Sequence, residues 1–215
     1  KAQERGYPVL DWANEMAFLH DDRANPVIAW PMRLFDCSPV SDGAAVILLV
    51  AEELAGSFSD DPIHIIGSGQ ASDLALHDRF DLTLLAAAKH AGRQAYQMAG
   101  VKPDDIKIAE VHDCFTIAEI IATEVLGFFP PGQGYEAAEE GLTGRYGPKP
   151  INTSGGLKSK GHPVGASGAG QVVEVWKQMR GQAGERQVPK DVDLALTHNV
   201  GGTGQTCVVH IFERR

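Results

Sequence analysis

Apolar segments of two lengths alternate along this chain, and that alternation limits the folds open to it more than any other feature. Short apolar runs typical of buried strands begin at Ala44 and recur at Pro62–Gly69, Ile106–Val111, Asp193–Thr197 and Thr206–Phe212. Segments with apolar residues at helical spacing are Asp81–Met98, Phe115–Leu126 and Val164–Arg180. Strands alternating with helices predict a layered α/β domain, with the last two strands as an antiparallel pair and Gly127–Pro150 as a long polar loop.

Composition excludes several classes of protein. The chain has 215 residues with 43% hydrophobic content, enough for one sizeable core, and its formal charge of −9 argues against a nucleic-acid binder. No apolar run approaches the roughly 20 residues of a membrane span, so no membrane association is expected. The first residues, KAQERGYPVLDW, resemble neither a signal peptide nor a natural start, and upstream sequence is expected to be missing.

The three cysteines, Cys37, Cys114 and Cys207, lie far apart and form neither a CxxC pair nor a metal-ligand spacing. Isolated cysteines are typical of a reducing compartment, where each is a buried apolar residue or a reactive thiol. The sequence therefore predicts a cytoplasmic protein without a metal site.

Polar residues of unusual type gather in three loops of the carboxy-terminal half. The first loop is EVHDCF (Glu110–Phe115), the second is NTSGG followed by KGHPVGASG (152–156 and 160–168), and the third is HNVGGTG (His198–Gly204). Ligands of α/β sheets bind beyond the carboxyl ends of the strands, so these loops are expected to converge there. Imidazoles, a thiol and free backbone N–H groups are components for acid/base chemistry and an oxyanion hole.

Each of these residues also has a plainer interpretation. A lone histidine at a strand end is more often structural, a lone cysteine is usually buried, and glycine often serves only a turn. His112 and Cys114 are harder to explain in this way, because both adjoin a predicted helix N-terminus. The helix dipole and a protonated imidazole are both expected to lower the pKa of the Cys114 thiol.

The same motifs resemble the thiolase superfamily, closest to the sterol-carrier-protein-type thiolases, which carry HDCF where other thiolases carry NEAF. The segment DCSPVSDGAA (36–45) resembles the start of the family's second half, and the resemblance covers about residues 26 to 213. It implies the second half of a helix–sheet–helix–sheet–helix arrangement, with a mixed five-stranded sheet covered by helices on both faces. Residues 1–30 would be the tail of a loop excursion that helps bind coenzyme A, and residues 31–215 the C-terminal thiolase domain.

The resemblance also implies roles for site residues. His162 matches the histidine that activates the acyl-accepting cysteine and forms part of an oxyanion hole, and His112 replaces the asparagine that orients a water for the thioester oxygen. Cys114 matches an acid/base acting on the substrate α-carbon, and the backbone of Gly201 matches a second oxyanion hole. Substrate contacts are expected from Ser38, near the pantetheine arm, and from Ser154 and Gly155. No metal or redox cofactor is implied, since coenzyme A is part of the substrate.

Two departures from the family pattern qualify these roles. Asn199 stands where NEAF-type thiolases have a second cysteine, and Cys207 lies on the following strand, where it is expected to point into the core. The acyl-accepting cysteine belongs to the first half of the fold, and Cys37 lies in the wrong motif to replace it. The expected function is thiolysis or Claisen condensation of coenzyme A thioesters, with an N-terminal half or a partner chain supplying the nucleophile in a homo- or hetero-oligomer.

Two alternatives remain open from the sequence. The first is a thiolase-fold aldolase or C-acyltransferase that works with a small zinc-ribbon and oligonucleotide-fold partner protein. The second is a non-catalytic scaffold subunit that binds acyl-CoA. Retention of Cys114 and His162 favours thiolase or acyltransferase chemistry over aldolase chemistry, and the intact HDCF and GHP motifs argue against a scaffold, which needs neither thiol nor imidazole. The acyl group of the substrate is expected to be a lipid or an aromatic acid.

Overall fold

The computed structural model describes residues 12–215, which form two compact units divided after Cys37. In the first unit, helix α1 (Glu15–His20) begins where the Asn14 side chain accepts a hydrogen bond from the Ala17 N–H at 2.9 Å. Strands β1 (Val27–Ala29) and β2 (Met32–Arg33) then pair antiparallel. The expectation that residues 1–30 are the tail of a coenzyme-A-binding excursion stays a prediction, and residues 1–11 lie outside the described part.

The second unit, Ser38–Arg215, contains the α/β architecture that the sequence predicts. Its helices are α2 (Glu52–Ala55), α3 (Ala86–Ala99), α4 (Thr116–Val125), α5 (Gly134–Glu139), α6 (Gly156–Lys160) and α7 (Ser167–Met179). Its strands are β3 (Ile63–Ser72), β4 (Ile108–Glu110), β5 (Leu194–Gly201) and β6 (Thr206–Arg214), in the sheet order β3-β6-β5-β4. The sheet is mixed: β4 and β5 are parallel and the other pairs are antiparallel, which confirms the predicted pairing of the last two strands.

Helices cover both faces of this sheet. Successive side chains of a strand point to opposite sides, so each face of the sheet has apolar side chains that pack against a helix. On one face, the alanines of α3 pack with Leu196 and Ile211 in the larger buried cluster. On the other face, α7 packs against Ala195 and Phe212. The two clusters lie on opposite faces of the sheet. Their packing fixes the positions of β4, β5 and α7, and therefore the positions of the polar residues at the ends of these elements.

Helix α3 lies almost directly on the backbone of β3. A Cβ atom added at Gly69 would sit 1.9 Å from the Ala91 carbonyl oxygen, and one at Gly67 would sit 2.5 Å from the Ala95 carbonyl oxygen. Only glycine on the strand and alanine on the helix permit this approach. The Ala-rich segment predicted as a helix is therefore confirmed, and its small residues face the sheet.

The strand predicted from Ala44 onwards is wrong. Residues 38–50 adopt neither helix nor strand, and their apolar side chains face outward, with Val46 87% exposed and Leu48 and Leu49 each 71% exposed. A strand needs a neighbour for its backbone hydrogen bonds, and no described strand pairs with this segment. The sheet of the described residues accordingly has four strands rather than five, with one isolated parallel bridge between Ala109 and Ile151 beside β4.

Two smaller differences have local causes. The helix predicted from Asp81 begins only at Ala86, because the Asp81 carboxylate accepts hydrogen bonds from the Thr83 N–H and hydroxyl at 2.8 and 2.6 Å and holds a turn instead. The loop predicted over Gly127–Pro150 contains α5, whose first residue donates its N–H to the Glu124 carboxylate at 2.8 Å. Among residues 12–215, no helix has both the length and the apolar character needed to cross a membrane.

Candidate active site

The three polar loops meet at one edge of the sheet, as the sequence predicts. Strands β4 and β5 are parallel, so their carboxyl ends, which lead into the first and third loops, lie side by side. The His112 N–H donates to Nδ1 of His198 at 3.4 Å, which joins the first loop to the third. The rings of His112 and His162 lie 5.0 Å apart between centroids at an interplanar angle of 80°, which joins the first loop to the second.

His162 is oriented by the start of α7. Its Nδ1 lies 2.7 Å from the Ser167 hydroxyl oxygen, and that hydroxyl donates its only proton to the Pro163 carbonyl at 3.1 Å. With the hydroxyl proton directed at that carbonyl, Nδ1 of His162 is the donor to Ser167. In the neutral ring the lone pair is then on Nε2, the nitrogen available to take a proton from a reacting group.

His112 and His198 are both neutral at physiological pH. Burial, with a smaller contribution from His162, lowers the pKa of His112 to about 4. Burial, with a contribution from His112, lowers the pKa of His198 to about 3. The third loop contains His198, to which the family resemblance assigns no role. Its spacing of two residues from Leu196 and from Val200, which belong to or pack against the larger cluster, was the signal that it points inward.

The structure places Cys114 just before α4, half-buried, and contradicts the expected lowering of its thiol pKa. Burial raises that pKa, the neighbouring Asp113 carboxylate raises it further, and the Phe115 N–H only partly offsets them. The expectation was wrong because His112 is uncharged and brings no positive charge to the site. Cys114 is therefore a thiol, and so a proton donor, at neutral pH. Its carbonyl oxygen accepts the Ser38 N–H at 2.9 Å, which places Ser38 beside the first loop.

Asp113 ties the first loop to the second. Its buried carboxylate accepts the Leu157 N–H at 2.8 Å and the Lys158 N–H at 3.4 Å, at the start of α6. Gly156 has a φ of 62°, and a Cβ atom there would lie 2.0 Å from the Asp113 carboxylate. Glycine at position 156 of the second loop therefore allows the Asp113 carboxylate to approach the backbone of that loop.

Ser154 and Gly155 lie in the same loop, but the Ser154 hydroxyl already has a partner. It donates to the fully buried Glu110 carboxylate at 2.5 Å, and the Ser154 N–H donates to the same group at 3.0 Å. Burial raises the pKa of Glu110. Gly155, with a φ of 88°, forms the turn into α6. Substrate contacts from Ser154 and Gly155 stay predictions.

A second buried carboxyl group near the site escaped sequence analysis. The Asn152 side chain accepts the Val111 N–H at 2.8 Å and donates to the Glu119 carboxylate at 2.7 Å, so it links the second loop to α4. Burial raises the pKa of Glu119 to about 7. Asn152 has a φ of 52°, a left-handed conformation that asparagine tolerates better than most residues. The apolar periodicity of α4 does not indicate that Glu119 is buried against Asn152.

The remaining candidates lie on the last two strands and in the first unit. Gly201 is exposed at the end of β5, where it pairs with Thr206. Cys207 is buried in the larger cluster, as expected, and burial raises its pKa to about 12. Cys37 lies in the first unit.

Comparisons with known proteins agree with this architecture. The family model described as Thiolase C-terminal domain-like matches residues 68–214. Acetyl-CoA acetyltransferase of Methanothermobacter thermautotrophicus is 50% identical over 189 residues, covering 87% of this chain and 49% of that protein. Sterol carrier protein 2 of Bos taurus is 38% identical over 183 residues, covering 82% of this chain and 34% of that protein.

Among solved structures, the "Ltp2-ChsH2(DUF35) aldolase" matches with a TM-score of 0.79 and 26% identity, covering 91% of this chain and 51% of that chain. The chain thus spans about half the length, or less, of the relatives it matches. The family match over most of the chain confirms the resemblance that the HDCF and GHP motifs indicated. The chain belongs to the thiolase family, and its residues 68–214 match the family's C-terminal domain model.

Proposed function

We propose that this chain supplies the acid/base and oxyanion-stabilising residues of an acyl-CoA thiolase, which cleaves or forms a carbon–carbon bond in coenzyme A thioesters. The observation that carries the proposal is the pair of histidine rings, His112 and His162, 5.0 Å apart at the sheet edge where the loop of Cys114 begins. A nucleophilic cysteine from an N-terminal half or a partner chain completes the site. Coenzyme A enters as part of the substrate, and the chemistry uses no metal or redox cofactor.

In the cleavage direction, the nucleophilic thiol attacks the β-carbonyl carbon of the substrate, and Nε2 of His162 takes its proton. The Gly201 N–H stabilises the oxyanion of the tetrahedral intermediate. When the carbon–carbon bond breaks, the electron pair moves into the enolate of the departing thioester. His112 and the protonated His162 donate hydrogen bonds to that enolate oxygen, the place where negative charge develops.

Cys114 completes both halves of the cycle. Its thiol gives its proton to the enolate α-carbon, which releases acetyl-CoA from an unbranched substrate, leaves the shortened acyl group on the nucleophile, and leaves Cys114 as a thiolate. Free coenzyme A then loses its thiol proton to that thiolate and attacks the acyl-enzyme. The departing nucleophile recovers its proton from His162, so the nucleophile and Cys114 both end the cycle as thiols. A resting Cys114 thiol is the form that this direction requires.

Exposed apolar surface supports a covering partner half. Beyond residues 46–50, large apolar side chains are exposed at Phe115 and Ile117 around the start of α4, and at Val164 and Trp176 along the second loop and α7. Large apolar side chains left exposed in this way are typical of protein–protein interfaces. We propose that the N-terminal half contacts this chain mainly through α4 and α7, within a homo- or hetero-oligomer. We also propose a cytoplasmic location, because isolated cysteines are typical of a reducing compartment.

The similarity to the Ltp2-ChsH2(DUF35) aldolase favours one second candidate, aldol cleavage with a small partner protein. Retro-aldol cleavage needs no acyl-thiol intermediate, so trapping of an acyl-enzyme separates the two functions. The test is to incubate the natural full-length protein with radiolabelled β-ketoacyl-CoA and to assay for thioester-bound label and for coenzyme-A-dependent thiolysis. We expect both in the wild type, and loss of the bound label in His162→Ala.

Absence of both acyl-enzyme and thiolysis, with cleavage of a β-hydroxyacyl-CoA, would establish the aldolase instead. Absence of all three activities, with retained acyl-CoA binding, would favour a scaffold subunit.

A further inference from the structure

We propose that Gln171 and Asn199 are positioning residues that hold His112 in the tautomer carrying its proton on Nε2, so that this ring donates a hydrogen bond to the substrate. The inference rests on the proposed function for the identity of the acceptor, the thioester oxygen. It assigns roles to two residues that the family resemblance left without one.

The first link begins at a backbone carbonyl. Nε2 of Gln171, a side chain that is 1% exposed on α7, lies 3.0 Å from the carbonyl oxygen of His198. A carbonyl oxygen can only accept, so the amide nitrogen of Gln171 must face it. This contact fixes the orientation of the whole amide and directs its oxygen, Oε1, towards Asn199.

The second link passes this orientation to Asn199. Nδ2 of Asn199 lies 3.2 Å from Oε1 of Gln171, and an amide oxygen can only accept. The Asn199 amide therefore presents its nitrogen to Gln171. This hydrogen bond uses one of the two hydrogens on Nδ2 of Asn199. Gly168 of the second loop packs against this amide, and a Cβ atom there would lie 3.4 Å from it.

The third link reaches the ring of His112. Nδ2 of Asn199 also lies 3.3 Å from Nδ1 of His112, so the second amide hydrogen is directed at that nitrogen. Nδ1 must then be an acceptor. His112 is neutral at physiological pH because it is buried and faces His162, so its single ring proton is on Nε2.

The consequence is a pair of rings with opposite hydrogen-bonding character. His162 donates through Nδ1 to Ser167 and keeps a lone pair on Nε2, whereas His112 accepts at Nδ1 and keeps a proton on Nε2. One ring can take a proton from a thiol while the other stabilises an anionic oxygen. Asn199, at the position where other thiolases carry a second cysteine, thus has a new task in a site whose thiol comes from Cys114.

The test compares three variants of the natural full-length protein. Asn199→Asp replaces the donor by an acceptor, and Gln171→Leu removes the clamp that orients Asn199. Gln178→Leu is the matched control: Gln178 lies two turns further along the same face of α7 and is also 1% exposed, but it bonds to Glu174 and to the Arg186 carbonyl. The tautomer of His112 is read by NMR of protein labelled with ¹⁵N-histidine, with the signals assigned by their loss in His112→Gln.

We expect the ring proton on Nε2 in the wild type and in Gln178→Leu, on Nδ1 in Asn199→Asp, and divided between the two nitrogens in Gln171→Leu. Turnover of Asn199→Asp should fall by about 10²- to 10³-fold, the usual effect of losing one oxyanion-hole donor, while acylation of the nucleophile by a saturated acyl-CoA, which forms no enolate, survives.

A wild-type proton on Nδ1, an unchanged tautomer in Asn199→Asp or Gln171→Leu, or an equal shift in Gln178→Leu would each overturn the inference. If Asn199→Asp does not fold, Gln171→Leu decides alone. The tautomer is measured without substrate, so a wild type that lacks thiolysis refutes the proposed function and leaves the tautomer result standing on its own.

Discussion

Replacing Gly156 by alanine tests how tightly Asp113 joins the first loop to the second. The left-handed φ of 62° at Gly156 costs an alanine about 1–2 kcal/mol. The new Cβ would lie 2.0 Å from the Asp113 carboxylate, and relieving such an overlap in a packed site costs about a further 1–3 kcal/mol. Gly181 is the matched control, because its φ is 67° and an added Cβ would have no neighbour within 4 Å.

Denaturant unfolding of the natural full-length protein measures these costs. We expect Gly181→Ala to lose about 1–2 kcal/mol of unfolding free energy and Gly156→Ala about 2–5 kcal/mol. Combining Gly156→Ala with Asp113→Ala should cost less than the sum of the two single changes, because the overlap disappears. Equal losses in Gly156→Ala and Gly181→Ala, or strict additivity in the double variant, would show that the carboxylate does not hold the glycine turn.

Three further predictions concern the chemistry. Cys114→Ala should lower thiolysis by at least about 10²-fold, the lower end for a positioned acid/base, while labelling of the nucleophile by a saturated acyl-CoA survives; retention of more than about a tenth of the thiolysis activity would remove Cys114 from the mechanism. Because burial raises the Cys114 pKa and both directions of the cycle start from its thiol, ionisation of Cys114 should not lower the rate of thiolysis or of condensation between pH 7 and 8; a rate of Cys114 alkylation by iodoacetamide that already reaches its plateau in that range would contradict this assignment. The 215-residue chain by itself should not thiolyse acetoacetyl-CoA and should gain activity when the N-terminal half is added, and turnover by the chain alone would refute the need for that half.

Much of the fold was predictable from local pattern. The Ala-rich run on α3, the apolar strands β5 and β6, and the polar loops at strand ends all carry their signal within short windows of sequence. The failures occurred where the outcome depends on residues distant in the chain. The segment from Ala44 has the composition of a buried strand, but composition cannot supply the neighbour that a strand requires.

The site shows the same division. Motif and loop position were enough to bring His112 and His162 together. The charge state of Cys114 was predicted wrongly, because a sequence does not reveal that burial dominates over the helix start and that the adjacent imidazole is uncharged. The role of Gln171 was not predictable either, because the position of a glutamine on an amphipathic helix does not reveal which carbonyl its amide contacts.

The sheet order has a consequence for how this chain acquires its structure. Strand β3 pairs only with β6 in the described sheet, and residues 73–205 separate the two. At a synthesis rate of roughly 5–20 residues per second, β3 leaves the ribosome on the order of ten seconds before its partner exists. During that interval its backbone edge is open to pairing with other nascent chains, a known route to aggregation. Expression at lower temperature or with a chaperone that shields strand edges should therefore raise the yield of this domain more than a change of solubility tag.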